Sequence, residues 1–177
     1  MTTSYTSLLG FALPVTGELS GTWGDVVNNS ITQLVEDSIA GDATYDVSTG
    51  NWTLTTTGLG VDNQARKAIL IPTGTPGVSR NIIAPAHSKA YIVINQSDSA
   101  VVVKGASTTG VTIPSGVTAL IAWDGSDFVN IRPYTTEGTT GQVLTSQGAG
   151  AAPTWGTPSS GGISAGQSIA FDLVFSI

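Results

Sequence analysis

The chain has 177 residues, 40% of them apolar and only 10% charged, with a net charge of −6 from 12 acidic and 6 basic side chains. The basic residues Arg66, Lys67, Arg80, Lys89, Lys104 and Arg132 are scattered, which argues against nucleic-acid binding, since neutralising phosphates needs a clustered footprint. Cysteine is absent, which excludes disulfides, thiolate metal sites and cysteine nucleophiles. Gly, Thr and Ser fill the place of the missing charges, a profile expected of an extended, β-rich surface protein.

Residues 1–21 form an irregular leader with apolar points at Leu8, Leu9, Phe11, Leu13 and Val15. Pro14, Gly10, Gly17 and Gly21 argue against a helix, and the apolar content favours an arm laid on another surface. No basic start precedes the apolar patch, so the segment is a poor signal peptide. No apolar run approaches the ~20 residues of a membrane helix, and no membrane insertion is expected. The sequon matches at Asn28, Asn51 and Asn95 are read as chance.

Residues 22–42 hold the one convincing helix. Val27, Ile31, Leu34, Val35 and Ile39 fall on one stripe at helical spacing. Thr22 or Asp25 is placed to cap its start, and Gly41 sits where a left-handed C-terminal cap belongs. Two readings fit the stripe equally: packing on the chain's own domain, or a seam where three helices meet around an axis.

Residues 43–133 are expected to form an all-β domain, a sandwich or barrel. Candidate strands at 51–57, 67–73, 80–85, 90–96, 100–106, 110–115, 117–125 and 127–133 recur about every ten residues with turn chemistry between them. "NQSDSA" should turn one hairpin and "WDGSDF" another, since Asp-Gly accepts the positive φ of a tight turn. Ala90, Ile92 and Ile94 alternate with Tyr91, Val93 and Asn95, so both faces of that strand are apolar. It should be central in a sheet or lie at a subunit interface.

Residues 134–162 are a Gly/Thr/Ser-rich connector, too apolar at Val143, Leu144 and Trp155 for an idle linker. Residues 163–177 alternate Ile169, Phe171, Leu173 and Phe175 against smaller or polar residues, the pattern of a terminal strand that pairs with something. The expected architecture is therefore mainly β, with a short N-terminal helix and an extended Gly-rich C-terminal segment. Such a thin segment buries enough surface only if several copies entwine, and a homotrimer would supply them. Val27, Ile31, Leu34, Val35, Ile39, Val143, Leu144, Trp155, Phe171, Leu173 and Phe175 are the candidate trimerisation residues.

Catalytic signals are weak. His87, the one histidine, lies in the turn-like "APAHSKA". "GISAG" (Gly162 to Gly166) matches a nucleophile elbow in letters, but lacks the strand before it and the helix after it. Asp124 and Asp127 are better explained by a turn than by a shared cation. No phosphate loop, zinc motif or dinucleotide fingerprint occurs, so no enzyme activity, cofactor or metal is expected. Of the aromatics, each Trp is assigned first to core packing, with stacking on sugar rings as the alternative.

Three stretches resemble bacteriophage proteins. "LGFALPVTGELSGTWGDVVNNSITQLVEDSIAG" (residues 9–41) is similar to the N-terminal segment of tail-fibre and other virion proteins of tailed phages, notably of cyanobacterial and marine hosts. The similarity centres on Leu13, Pro14, Gly17, Trp23, Gly24, Asn28 and Asn29. "AYIVINQSDSAVVVKG" through "GVTIPSGVTALIAWDGSDFVNI" resembles a module of phage appendages. "GTTGQVLTSQGAGAAPTWGTP" resembles the repeat-like fibre segment G-x-x-G-Q-V-L-x-S-x-G-…-P-x-W. The resemblance implies a homotrimeric virion component: a short tail fibre, or a proximal adaptor between baseplate and a distal fibre protein. Leu8, Leu9, Phe11, Leu13 and Val15 would then dock on the particle. Its alternatives are a module binding host surface polysaccharide and a capsid decoration or head-fibre protein.

Overall fold

The computed structural model describes residues 3–56, 60–132 and 138–158. They belong to two compact units, Met1–Ile131 and Arg132–Ile177. Phe171, Leu173, Phe175 and the whole expected strand at 163–177 lie outside the described residues.

The leader is a small hairpin. Strand β1 (Ser4–Tyr5) pairs antiparallel with β2 (Ala12–Leu13). Thr6 closes the loop between them. Its N–H donates to the Phe11 carbonyl at 2.9 Å, and its hydroxyl oxygen accepts from the Phe11 N–H at 2.9 Å. The hairpin is laid on the chain's own body: the Gly60 N–H donates to the Gly10 carbonyl at 2.9 Å, and the Arg66 guanidinium donates to the Leu9 carbonyl.

The helix runs as α1 (Trp23–Val27), a wider π-type turn (Asn28–Thr32) and α2 (Gln33–Ala40). Thr22 precedes it without a side-chain capping bond, and Asp25 lies inside its first turn. The wide turn adds a residue to the helical repeat and rotates α2 relative to α1. The sequence stripe therefore splits. Leu34 is buried and Val27 and Ile31 are half-buried, whereas Val35 and Ile39 are 37% and 74% exposed. Gly41 is not the left-handed cap expected of it. Its φ of −72° and ψ of 147° are extended. Glycine is required for space instead, because a Cβ would lie 2.6 Å from the Asp37 carbonyl oxygen. The Lys67 amine ties the helix end down, bridging Asp37 at 2.9 Å and Asp62 at 3.2 Å.

The β region comprises β3 (Asp42–Asp46), β4 (Trp52–Thr53), β5 (Ile69–Thr73), β6 (Arg80–Ile83), β7 (Ala90–Ile94), β8 (Val101–Lys104), β9 (Val111–Ile113), β10 (Thr118–Trp123) and β11 (Phe128–Asn130). All eight expected strands are present, each shorter than its apolar run. The unexpected strand is β3, a polar edge of which only Ala43 is buried. Two open sheets result, ordered β11-β10-β7-β5-β3 and β4-β6-β8-β9. Neither closes, so the barrel alternative does not form.

From β3 to β8 the chain alternates between the sheets and adds each strand parallel to the last in its sheet. "NQSDSA" consequently turns no hairpin. It carries the chain from β7 to β8 in the other sheet, because β7 already has β5 and β10 as neighbours. Asn95 holds that turn from within. Only 1% exposed, it donates to the carbonyls of Ser99, Ile113 and Pro114 at 2.9–3.1 Å and accepts from Ser97. "WDGSDF" does turn a hairpin, with Trp123 opposite Phe128 and Gly125 at φ 109°. Side chains from both sheets share one core, with Leu70, Tyr91, Val93, Ile121 and Phe128 on one side and Trp52, Ile82, Val101, Val103 and Ile113 on the other.

In the second unit, β12 (Val143–Thr145) pairs antiparallel with β13 (Thr154–Gly156), so the connector contains a hairpin of its own.

Candidate functional site

The leader hairpin and the rotated end of the helix create a concavity on the first unit. Leu8, Leu9 and Phe11 come from the loop after β1, Val35 and Ile39 from α2, and Ala90 from the start of β7. They line an apolar groove of about 620 Å³. Two groups that the sequence assigned to different tasks, docking and trimerisation, thus meet on one surface.

The leader loop is positioned by Arg66. This residue is 2% exposed, and its guanidinium donates to the Leu9 and Val61 carbonyls. Its backbone N–H is capped by Asn63 Oδ1 at 3.1 Å. Burial lowers its pKa, and Asp62 and Asp37 oppose that shift.

One amine marks the groove. Lys89 contributes to its lining beside His87 and Ser88, with Nζ 4.7 Å from the centroid of the Tyr91 ring. Burial lowers the amine to about 8. The Tyr91 phenol is also raised by burial, and its hydroxyl donates to the Ala65 carbonyl at 2.8 Å. No carboxylate lines the groove. The mostly apolar lining suits an apolar segment.

The other predicted site residues fall elsewhere. Leu13 is 47% exposed on β2. Val15 is half-buried in a separate shallow recess with Pro14, Leu19 and Trp23. Trp23 opens the helix and is 62% exposed. Trp52 is buried, stacked on Tyr45 at 5.3 Å, and its indole N–H donates to Gln64 Oε1 at 3.0 Å. Trp123 packs edge-on to Phe128. Core packing thus accounts for Trp52 and Trp123, and the exposed indole is Trp23.

Leu144 pairs with Trp155 across the second unit's hairpin, and Val143 with Gly156. Val143 and Leu144 remain 48% and 40% exposed. Trp155 has a neighbour in its own chain: a Cβ on Gly138 would lie 2.4 Å from the indole Cδ2. The glycine pattern of this segment thereby gains a physical meaning. Gly141, at φ 88°, makes the turn into β12. Gln142 Oε1 accepts from the Thr139 N–H at 2.8 Å. Gly138 leaves room for the ring.

The two aspartates of "WDGSD" do separate structural work. Asp124 Oδ1 accepts from the N–H groups of Ser126 and Asp127 at 2.8 and 3.0 Å, closing the turn. Asp127 reaches across to the 108–110 turn, accepting from the Gly110 and Thr109 N–H groups at 2.8 and 3.1 Å. Desolvation pushes the Asp127 carboxyl up, but these hydrogen bonds outweigh it and leave the pKa lowered. Among the described residues no three His, Cys, Asp or Glu side chains converge as a metal ion would require. No described helix is long and apolar enough to cross a membrane.

Sequence reasoning missed Lys89 and the role of Arg66. Nothing local to either residue signals it, because the groove joins segments some 80 positions apart. Comparison with family models, with curated proteins and with solved structures finds no match to this chain.

Proposed function

We propose that the protein is a non-enzymatic structural subunit of a bacteriophage virion, a short tail fibre or a proximal fibre adaptor at the baseplate. It assembles as a homotrimer, attaches through its N-terminal part and supports host adsorption. The observation that carries the reading is the exposed apolar groove built by Leu8, Leu9, Phe11, Val35 and Ile39. All but Leu8 belong to the stretch that resembles phage tail-fibre N-termini, and a mostly apolar groove suits assembly. Under this reading the groove receives a segment of a tail or baseplate protein.

The exposed Trp23 favours a second reading, stacking on host surface polysaccharide. Immunogold labelling of purified virions tests the first: signal at the tail supports it, signal on the head selects the head-fibre alternative, and absence from particles overturns both. Glycan-array binding lost on Trp23→Ala would support the second.

A further inference from the structure

Lys89 is the one Lys, Arg, Asp or Glu in the lining of the apolar groove. The cations nearby in sequence have partners. Lys67 bridges Asp37 and Asp62, and the Arg66 guanidinium donates to the Leu9 and Val61 carbonyls. Lys89 differs. Among the described residues its amine has no ion pair, and its contact is the face of the Tyr91 ring at 4.7 Å. A ring face attracts an amine without neutralising it. The Tyr91 hydroxyl adds no acceptor, since it is turned to the Ala65 carbonyl. Nor is the amine sealed in: among the described residues, the buried side-chain polar atom without a partner is Arg80 Nε, and Lys89 Nζ stays open to an incoming group. The groove therefore presents a single uncompensated positive charge, with Leu8 and Leu9 of the leader and Val35 and Ile39 of α2 around it.

We propose that the groove binds an apolar peptide segment carrying one acidic side chain, whose carboxylate pairs with the Lys89 amine while its aliphatic or aromatic neighbours lie against Leu8, Leu9, Phe11, Val35 and Ile39. The origin of the segment in a tail or baseplate protein rests on the proposed function; its charge pattern rests on the groove.

Charge selects this occupant over a wholly apolar one. An apolar segment would cover the amine, take away its remaining water and give nothing back. Burial already lowers Lys89 to about 8, the mark of a charge short of solvation, and an adjacent carboxylate reverses that shift. A basic segment would add like charge. The number of donors selects a carboxylate over a phosphate group. A phosphate is best held by several converging donors, and here the neighbouring Arg66 guanidinium is engaged with backbone carbonyls, leaving one amine. The chain as a whole, at net charge −6, repels an acidic segment. The groove lining is of opposite sign, which favours this landing place over others.

The test uses the full chain and immobilised pentapeptides, acetylated and amidated, built from Leu, Ile, Val and Phe around a central Glu, Gln or Lys. At pH 7 and low salt the Glu series should retain the protein at least about threefold better than the Gln series, as expected of a partly exposed ion pair, and the Lys series should retain it least. Lys89→Met should bind the Glu and Gln series equally, with an unchanged far-ultraviolet circular dichroism spectrum. Lys89→Arg keeps the charge and should keep the preference. If Lys89→Met does not fold, Ile39→Asp takes its place: at a lining position 74% exposed, it supplies the groove with a carboxylate of its own and should remove the preference. Equal binding of the Glu and Gln series to the wild type overturns the proposal. So does a preference that survives in these variants, or an absence of binding to every series. A Lys89-dependent preference for Glu in a protein that is absent from virions would overturn the proposed function and leave the chemistry of the groove standing.

Discussion

Lys89 shows what a single residue can cost when it closes an apolar groove. Its folded pKa, lowered by burial to about 8, lies below the ~10.4 of an unfolded lysine. Below pH 8 the amine is charged in both states and its burial opposes folding. Between about 8 and 10.4 the native state has released the proton and the unfolded chain still holds it. Stability should therefore rise with pH across that window. Lys89→Met should stabilise the chain by about 1 kcal/mol at pH 7, a figure kept small because solvent screens the partly exposed amine. The gain should shrink by pH 9.5, still below the range where Tyr91 titrates. Urea midpoints at the two pH values measure both effects, and equal gains at both would refute the account. Asp124 and Asp127 show the opposite case. The turn-making role of Asp124 was legible in "WDGSD", because an aspartate in a tight turn accepts from N–H groups a few residues on, whereas the reach of Asp127 to the Thr109 and Gly110 N–H groups was not. Lys89 was not legible, because its environment comes from residues distant in sequence.

At the scale of elements, the helix was legible in its existence and largely in its extent, but the face it presents was not. Spacing at 3.6 residues per turn places Val27 to Ile39 on one stripe only if every turn is ordinary. The wide turn at Asn28–Thr32 breaks that condition. The eight apolar strands announced themselves by composition, whereas β3 did not, since an edge strand needs no apolar alternation. The hairpin of the second unit lay hidden in a glycine-rich string for a related reason, its strands being only three residues long. Its anchor is the indole of Trp155 over Gly138. Gly138→Ala should overpack this contact and cost about 1–3 kcal/mol of local stability. Of the four indole N–H resonances expected from four tryptophans, that of Trp155 should move towards its random-coil position. An unchanged spectrum would show that the ring has another support.

For the whole molecule, the proposed assembly predicts a mass of about three times the 18.0 kDa chain in sedimentation equilibrium. A single species at the chain mass would remove the trimer. The sequence by itself determined the β-rich class, the helix near the N-terminus and the strand positions. It also determined the Asp-Gly hairpin and the lack of any thiol chemistry. These follow from local propensity, periodicity and composition, which act within a few residues of one another. Only the tertiary structure decided that strands alternate between two open sheets, that the leader folds back onto Arg66, and that Val35 and Ile39 face outward beside Leu8. Each of these depends on which distant strands become neighbours, and a period along the chain carries no record of that pairing.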